Sequence, residues 1–199
     1  MSSPLSIAVR SPTLWLAILI AVLCISLQFA GLAETWRFDR QKVESGAWYL
    51  LLSGNCVHLG NGHLWMNMAG FGLVVTLVWQ HFKAWEWLVV IVISSLFVGI
   101  GLYLRDPSVG WYVGFSGTLH ALIIAGCLAD LKHYPKMAAL LLIMVIGKLT
   151  WEQIGGPLPG SEEVAGGNVV VNSHLYGAIG GAVVAAILLG IQRFRYTPP

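Results

Sequence analysis

The chain has 199 residues, of which 57% are hydrophobic and only 10% are charged, and its formal net charge at pH 7 is +2. A soluble domain of this length cannot bury so much apolar surface, which predicts a single integral membrane domain over residues 1–199. Because the net charge is small and the basic residues are scattered, the composition argues against a nucleic-acid-binding protein.

Six stretches are apolar enough, and close enough to the roughly 20 residues that a bilayer requires, to form membrane-spanning helices. In chain order they cover residues 14–32, 64–79, 85–104, 115–131, 137–151 and 175–191. The first is longer than the apolar region of a secretory signal, which has roughly 7–15 residues, so we expect it to be retained. The sequence therefore predicts an all-α membrane protein with six transmembrane helices.

Charged residues in the connections orient this bundle. If the N-terminus lies in the cytoplasm, six basic residues fall on the cytoplasmic side and four on the outer side. The cytoplasmic residues are Arg10, Lys83, Lys132, Lys136, Arg193 and Arg195, and the outer residues are Arg37, Arg40, Lys42 and Arg105. Since basic residues are enriched in cytoplasmic loops, this count predicts that both termini are cytoplasmic.

Two long connections then lie on the outer side. The first, residues 34–63, mixes charged residues with tryptophan and tyrosine, which favour the headgroup level of a bilayer. We expect it to be partly helical and to lie in the interface. The second, "GGPLPGSEEVAGGN" at residues 155–168, is acidic and rich in glycine, and it predicts a mobile cover on the outer face.

The cysteines and histidines form no metal motif. Cys24, Cys56 and Cys127 have neither paired nor metal-type spacing, so we expect packing residues, with a disulfide or a cysteine nucleophile as the alternatives. His58 and His63 lie five residues apart, but the chain has no HExxH pattern and no carboxylate accompanies the histidines within the predicted spans. We expect neither a metal nor a cofactor.

The chain also lacks the broken helices or inverted halves typical of a transporter.

Polar residues recur in the first turn of the second, fourth and sixth predicted spans, all of which run from the outer side inward. They are His63 and Asn67 in "HLWMN", Ser116 in "GFSG" and His174 in "NSHLYG". Polar groups in a membrane cost a few kcal/mol and usually face a bundle interior or a wet cavity. Any one of them could instead bond a carbonyl or bridge two helices. Four residues at one depth favour a common site near the outer face.

These residue types suit acyl transfer. A serine hydroxyl becomes nucleophilic when a neighbouring base, typically a neutral imidazole, takes its proton. The oxyanion formed on the substrate then requires fixed hydrogen-bond donors. His63 and Asn67 share a helix face, and the Ser116 N–H lies in a first helical turn, where it has no partner within the helix. The sequence thus predicts a serine nucleophile, a histidine base and three donors.

Spacing leaves two histidines as candidate bases. His120 lies four residues after Ser116 on the same helix, whereas His174 lies on another span and requires close contact between helices. Glycines that permit such an approach line both spans, at Gly114, Gly117 and Gly126 and at Gly177, Gly180 and Gly181. The glycines favour His174 without excluding His120. We also expect Gly114 and Gly117 to keep the entrance to Ser116 bare for a substrate carbonyl.

In these motifs the chain resembles the rhomboids, a family of six-span intramembrane serine proteases. The resemblance covers nearly the whole chain and is carried by "HLWMN", "GFSG" and "SHLYG", whose histidine is followed three residues later by Gly177. It implies that Ser116 is the nucleophile, that His174 is the base, and that His63, Asn67 and the Ser116 amide form the oxyanion hole. His58 matches a further histidine common in the family. Rhomboids work without a carboxylate, and the resemblance implies none beside His174.

Within that family the chain most resembles the rhombosortases, bacterial enzymes of the inner membrane. The shared segments are "RFDR", "GFSGTLHA", "KLTWEQ" and "HLYGAIGG". Rhombosortases process secreted proteins that end in a GlyGly-CTERM tail, which has a glycine-rich motif, a hydrophobic span and a basic end. The resemblance implies such transmembrane proteins and membrane lipid as partners, and transfer of the new C-terminus to an amine as an alternative to hydrolysis.

Three further polar residues, His120, Glu152 and Gln153, lie near the predicted site. His120 stands where many rhomboids carry an aromatic residue, and we expect it to pack beside or bond His174 and tune it. Glu152 and Gln153 are expected to contact the glycine-rich substrate at a gate between the second and fifth spans. The alternative for Glu152 is an ion pair with Lys148, four residues earlier, that lowers the cost of burying both.

A second hypothesis is a catalytically inactive rhomboid-like protein that binds transmembrane clients. An intact serine and histidine favour the enzyme, because a protein that only binds has no use for both.

Overall fold

The structure is a computed structural model that describes residues 11–195. Arg10 and the side chain of Arg195, which both entered the charge count, lie outside what it describes. The helices in chain order are α1 (Pro12–Phe29), α2 (Ala33–Trp36), α3 (Arg40–Glu44), α4 (Leu50–Ser53), α5 (Asn61–Val78), α6 (Ala84–Arg105), α7 (Ser116–Asp130), α8 (Pro135–Gly155), α9 (Ser161–Ala165) and α10 (Val171–Arg195). Two short strands, β1 (Phe38–Asp39) and β2 (Trp111–Tyr112), and 3₁₀ turns at Gly54–Cys56 and Trp79–His81 complete the described elements.

Each predicted span coincides with a helix. Within the described residues, five helices are long and apolar enough to cross a membrane, namely α1, α5, α6, α8 and α10. The remaining one, α7, has 15 residues, a length of about 22 Å at 1.5 Å per residue, and the hydrocarbon core is about 30 Å thick. The chain is therefore a helical multi-pass membrane protein, while a sixth crossing and cytoplasmic termini remain predictions.

The short helix α7 lies at the centre of the bundle, against α5, α6, α8 and α10. Glycines set its distance from α10, as the sequence predicts. A Cβ added to Gly177 would overlap the carbonyl oxygen of Gly117, and one added to Gly181 would overlap that of Ala121. The backbones of α7 and α10 are therefore in direct contact along two turns. Gly126 serves another contact, because it faces Val78 of α5.

A large apolar cluster extends from Phe115, next to Ser116, along α7 and into the neighbouring helices. Trp87 is fully buried and stacks on Trp79, with ring centroids 4.2 Å apart and planes 5° apart. Its indole N–H donates to the Trp79 carbonyl at 2.9 Å, so this polar group is satisfied. Leu122 and Ala125 of α7 belong to the same cluster. The half of α7 that follows the first turns is therefore held in packed apolar surroundings.

The connection between α1 and α5 is partly helical, as predicted, but it also contains a strand. Phe38 of β1 pairs antiparallel with Tyr112 of β2, which precedes α7. Arg40 donates to the carbonyls of Leu102, Tyr103, Asp106 and Val109 at 2.8–3.1 Å, and so caps the end of α6. The fold is all-helical apart from this two-residue ladder, which the sequence does not predict because its partners are distant in the chain and carry no local strand pattern.

Asp106, just after α6, holds the beginning of α10 in place. Its carboxylate accepts hydrogen bonds from the Asn172 amide at 2.6 Å and from the Tyr176 hydroxyl at 2.8 Å. These two residues flank His174 in sequence. The first turn of α10 is therefore fixed both by Asp106 and by the glycine contacts with α7.

Candidate active site

Ser116 is the first residue of α7. The residue two positions earlier, Gly114, has φ +130°, a conformation that favours glycine. A Cβ at Gly114 would lie 2.7 Å from Cε1 and 2.9 Å from Nε2 of His63. Glycine is therefore required twice here, for the turn that starts α7 and for the approach of the His63 ring.

The Ser116 hydroxyl and the His174 imidazole are hydrogen-bonded, with Oγ and Nε2 2.9 Å apart. His174 is 5% exposed, and the two side chains come from α7 and α10. The pairing expected from the glycine pattern is therefore present. This distance is within the range that a general base requires to take the proton of a serine hydroxyl.

His120, the other candidate base, occupies a different position. Its Nδ1 lies 2.7 Å from the Ser116 carbonyl oxygen, which can only accept, so Nδ1 carries a proton. Its ring stacks on that of His174, with centroids 4.3 Å apart and planes 20° apart. His120 packs beside His174, as expected. The histidine that bonds the Ser116 hydroxyl is His174.

A carboxylate also touches His174, which corrects the expectation that none would. Glu152 Oε2 lies 2.9 Å from His174 Nδ1, and Glu152 Oε1 accepts a hydrogen bond from Lys148 Nζ at 2.6 Å. Spacing alone predicted the Lys148–Glu152 pair, which is present. The contact with His174 was missed because it joins α8 to α10, and no spacing within either helix signals it.

Gln153 differs from Glu152 in its exposure. Its side chain is exposed, and it is not among the residues that line the cavity at Ser116. Glu152 lines that cavity, but both of its oxygens bond to side chains of the protein. Contact of either residue with a substrate stays a prediction.

Two further side chains bring donors to the same cavity. The Leu59 N–H donates to Nδ1 of His63 at 3.4 Å, which leaves the ring proton on Nε2, beside Gly114. Asn67 donates one amide hydrogen to the His63 carbonyl oxygen at 3.0 Å. Its side-chain amide carries a second hydrogen that a substrate oxygen could accept. Both residues are buried and line the cavity with Ser116, so the predicted donor set is brought together.

His58 packs against one of these donors, His63. It is fully buried in the connection before α5, and its ring packs edge-on against that of His63, with centroids 5.2 Å apart. Neither ring nitrogen has a hydrogen-bond partner among the described residues. Burial, with a smaller effect from neighbouring His63, lowers the pKa of His58 to about 3. His58 is therefore a neutral packing group at pH 7.

Gly117 does not keep the entrance bare, contrary to expectation. A Cβ there would lie 2.7 Å from the Ser173 carbonyl oxygen and 2.9 Å from a Val98 methyl. Its role is contact with α10 and α6. Gly114 likewise makes room for the ring of His63, so both glycines serve packing within the protein.

The cavity at Ser116 has a volume of about 650 Å³. One wall comes from α5 and α7, through Met66 and Leu119, and another from α8, through Lys148. The connection between α8 and α10 forms a further wall, with lining residues Leu158, Ser161, Ala165, Gly166, Gly167, Asn168, Val169 and Val170. The glycine-rich segment therefore lines the site, and its role as a mobile cover on the outer face remains a prediction.

His120, Glu152 and His174 have the donor types of a metal site, with one ligand atom from each within 4.8 Å of the others. The set does not fit a metal well. The Lys148 ammonium already bonds Glu152 and lies 3.5 Å from His174 Nδ1, so a cation of the chain lies against two of the three groups. A divalent ion would have to displace it.

Comparison with known proteins assigns the family. A family model described as the Rhomboid domain matches residues 45–191, a range that contains every residue of the site described above. The sequence has no match among curated proteins. Because the model covers most of the chain, the chain belongs to the rhomboid family of intramembrane serine proteases.

Proposed function

We propose that the protein is an active intramembrane serine endopeptidase in which Ser116 is the nucleophile and His174 the general base. The observation that carries this proposal is the 2.9 Å contact between Ser116 Oγ and His174 Nε2 in a cavity of about 650 Å³. Donors from His63 and Asn67 line the same cavity. Nucleophile, base and donors are the groups that acyl transfer requires.

The reaction follows from these positions. Ser116 Oγ attacks the scissile carbonyl carbon as its proton passes to His174 Nε2. The resulting oxyanion accepts hydrogen bonds from His63 Nε2–H, the Asn67 amide and the Ser116 N–H. The C–N bond then breaks, and His174 returns the proton to the leaving amine. Water, or an amine, attacks the remaining ester with His174 again as base, and Ser116 regains its proton.

The proposed topology has six crossing helices and two cytoplasmic termini in the bacterial inner membrane. A short α7 is compatible with this arrangement, because Ser116 at its N-terminus lies in the cavity. In the proposed topology this cavity lies below the membrane surface, so α7 does not have to reach that surface. Ser116 then lies near the periplasmic side. This is the side on which the tail of an exported protein is available for cleavage.

We further propose a rhombosortase activity, in which the substrate is a secreted protein with a GlyGly-CTERM tail. Support comes from the four shared segments, which lie around the site. "GFSGTLHA" contributes Ser116 and His120, "KLTWEQ" contributes Lys148 and Glu152, and "HLYGAIGG" contributes His174. Arg40 of "RFDR" caps α6. The acyl-enzyme passes the new C-terminus to water or to an amine acceptor.

The test is processing of a reporter that carries a glycine-rich motif, about 20 apolar residues and a basic end. Cells that express the protein should release the reporter without its tail, and cells with Ser116→Ala at equal membrane level should retain it. Mass spectrometry of the new C-terminus distinguishes a free carboxylate from an amide. Unchanged processing by Ser116→Ala would refute the enzyme and favour a protein that only binds its clients.

A further inference from the structure

Helix α8 carries one buried acid in an otherwise exposed setting. Only Ala138, Leu149 and Glu152 of this helix are buried, and Glu152 is 3% exposed. Residues on its other faces, such as Ile143 and Ile154, are exposed and would meet lipid. A buried carboxylate is costly unless it is paired, so its position calls for a specific partner.

We propose that Glu152 is the third member of a Ser116–His174–Glu152 triad, as a positioning residue for His174, and that Lys148 holds Glu152 in place. The inference rests on the proposed serine protease function and adds a group that this function does not require. The resemblance to rhomboids implies a serine and a histidine alone.

The hydrogen bonds fix one tautomer of His174. An ionised carboxylate can only accept, so the 2.9 Å contact with Glu152 Oε2 places the ring proton on Nδ1. Nε2 then presents its lone pair to Ser116 Oγ, 2.9 Å away. This is the tautomer that a general base requires, and an acid in this position also holds the plane of the ring.

Lys148 is the reason why the carboxylate matters electrostatically. Its ammonium lies 2.6 Å from Glu152 Oε1 and 3.5 Å from His174 Nδ1. The shorter contact of Nδ1 is with Glu152, so we assign the ring proton to that bond. When His174 accepts the serine proton, it becomes a cation next to Lys148. The charge of Glu152 offsets this repulsion, and without it the imidazolium would face a like charge.

The first test compares Glu152→Gln with the parent in detergent, using a fluorogenic peptide that carries the glycine-rich motif and apolar segment. Glutamine keeps the size and removes the charge. We expect kcat to fall by about 10²–10⁴-fold with KM changed less than about threefold, because the loss concerns the transition state. Glu34→Gln is the matched control, since that carboxylate is 82% exposed and its ion pair within residues 11–195 is with Arg37. It should retain the activity of the parent.

The second test separates positioning from a merely structural ion pair. Glu152→Gln leaves the Lys148 ammonium without its partner, and an unpaired charge can itself destabilise the fold. The double variant Lys148→Met/Glu152→Gln removes both charges. If the pair is only structural, the double variant should recover activity to within about threefold of the parent, which would overturn the proposal. Removal of Lys148 also removes the repulsion on the imidazolium, so we expect a partial recovery of kcat. If Glu152 positions His174, kcat should remain depressed at least about tenfold while the thermal midpoint returns toward that of the parent.

Failure of this inference is distinguishable from failure of the proposed function. A parent-like kcat in Glu152→Gln, with Ser116→Ala inactive, would remove Glu152 from the mechanism and leave the serine protease intact. A parent-like kcat in Ser116→Ala would remove both. Thermal unfolding of each purified variant identifies any that is not folded, and the double variant then decides the question.

Discussion

At the scale of single residues, the site depends on which atom of each histidine carries the proton. His120 donates through Nδ1 to the Ser116 carbonyl, and His63 accepts at Nδ1 from the Leu59 N–H. His174 bonds Glu152 through Nδ1 and Ser116 through Nε2. Each ring therefore has a neighbour that selects its tautomer. Three histidines in one cavity thereby have three different roles.

His58 leads to a prediction about acid stability. Its pKa is lowered by burial to about 3, whereas an unfolded histidine has a pKa of about 6.5. The neutral ring is accommodated in the fold, so its contribution to stability is complete above about pH 6.5 and is lost as the pH falls toward 3. The loss amounts to roughly 1.4 kcal/mol per pH unit in that window.

We therefore expect the thermal midpoint of the parent to fall more between pH 7.5 and pH 5.0 than that of His58→Leu. Differential scanning fluorimetry in detergent measures both. His133→Asn is the control, because His133 is an exposed histidine remote from the site, and it should keep the pH dependence of the parent. An equal fall in parent and His58→Leu would refute this role for His58.

Some residues of the site can be predicted from the sequence, and the contact of Glu152 with His174 cannot. Ser116, His174, His63 and Asn67 are predictable because membrane spans tolerate few polar residues and these four share one depth. For Glu152 the sequence leaves two interpretations, contact with the substrate and an ion pair with Lys148, and its spacing from Lys148 is the only local signal. Its contact with His174 depends on how α8 docks beside α10, which no pattern within a helix specifies.

At the scale of elements, the contact between α7 and α10 determines the distance between Ser116 and His174. The sequence predicted this contact from its glycines, and Gly177 and Gly117 provide it. It did not predict that Asp106 would fix the start of α10, or that Arg40 would cap the end of α6. Those bonds join segments far apart in the chain, and their residues would look like ordinary loop charges.

Gly177→Ala tests this contact. An added methyl would overlap the Gly117 carbonyl oxygen, so α10 must move away and carry His174 with it. We expect a loss of activity of at least about 100-fold and a destabilisation of about 1–3 kcal/mol, as for overpacked cores. Thermal unfolding and reporter cleavage measure the two effects.

Gly190→Ala is the matched control on the same helix. A Cβ at Gly190 meets nothing within 4 Å among the described residues, and alanine is the better helix former by about 1 kcal/mol. Its activity should equal that of the parent, and its stability should be equal or greater. Equal effects of the two substitutions would show that the glycine contact does not set the site.

At the scale of the whole molecule, the bundle places a short helix at the centre and long helices around it. α7 begins at Ser116 in the cavity and continues into a packed apolar core, so the Ser116 hydroxyl is held by a largely buried helix. α8 contributes the charges of Lys148 and Glu152 from its inward face, and the glycine-rich connection lines the cavity. A substrate segment that reaches Ser116 therefore meets groups from α5, α7, α8 and α10 at once.

The proposed mechanism requires that α7 and α10 together make the Ser116 hydroxyl unusually nucleophilic. The most direct test is covalent labelling of the purified protein with a fluorophosphonate, followed by peptide mass spectrometry. We expect a phosphonyl adduct on Ser116 that forms in the parent and in His133→Ala, and at least about 100-fold more slowly in His174→Ala. An adduct on another residue, or labelling of Ser116 at the parent rate without His174, would contradict it.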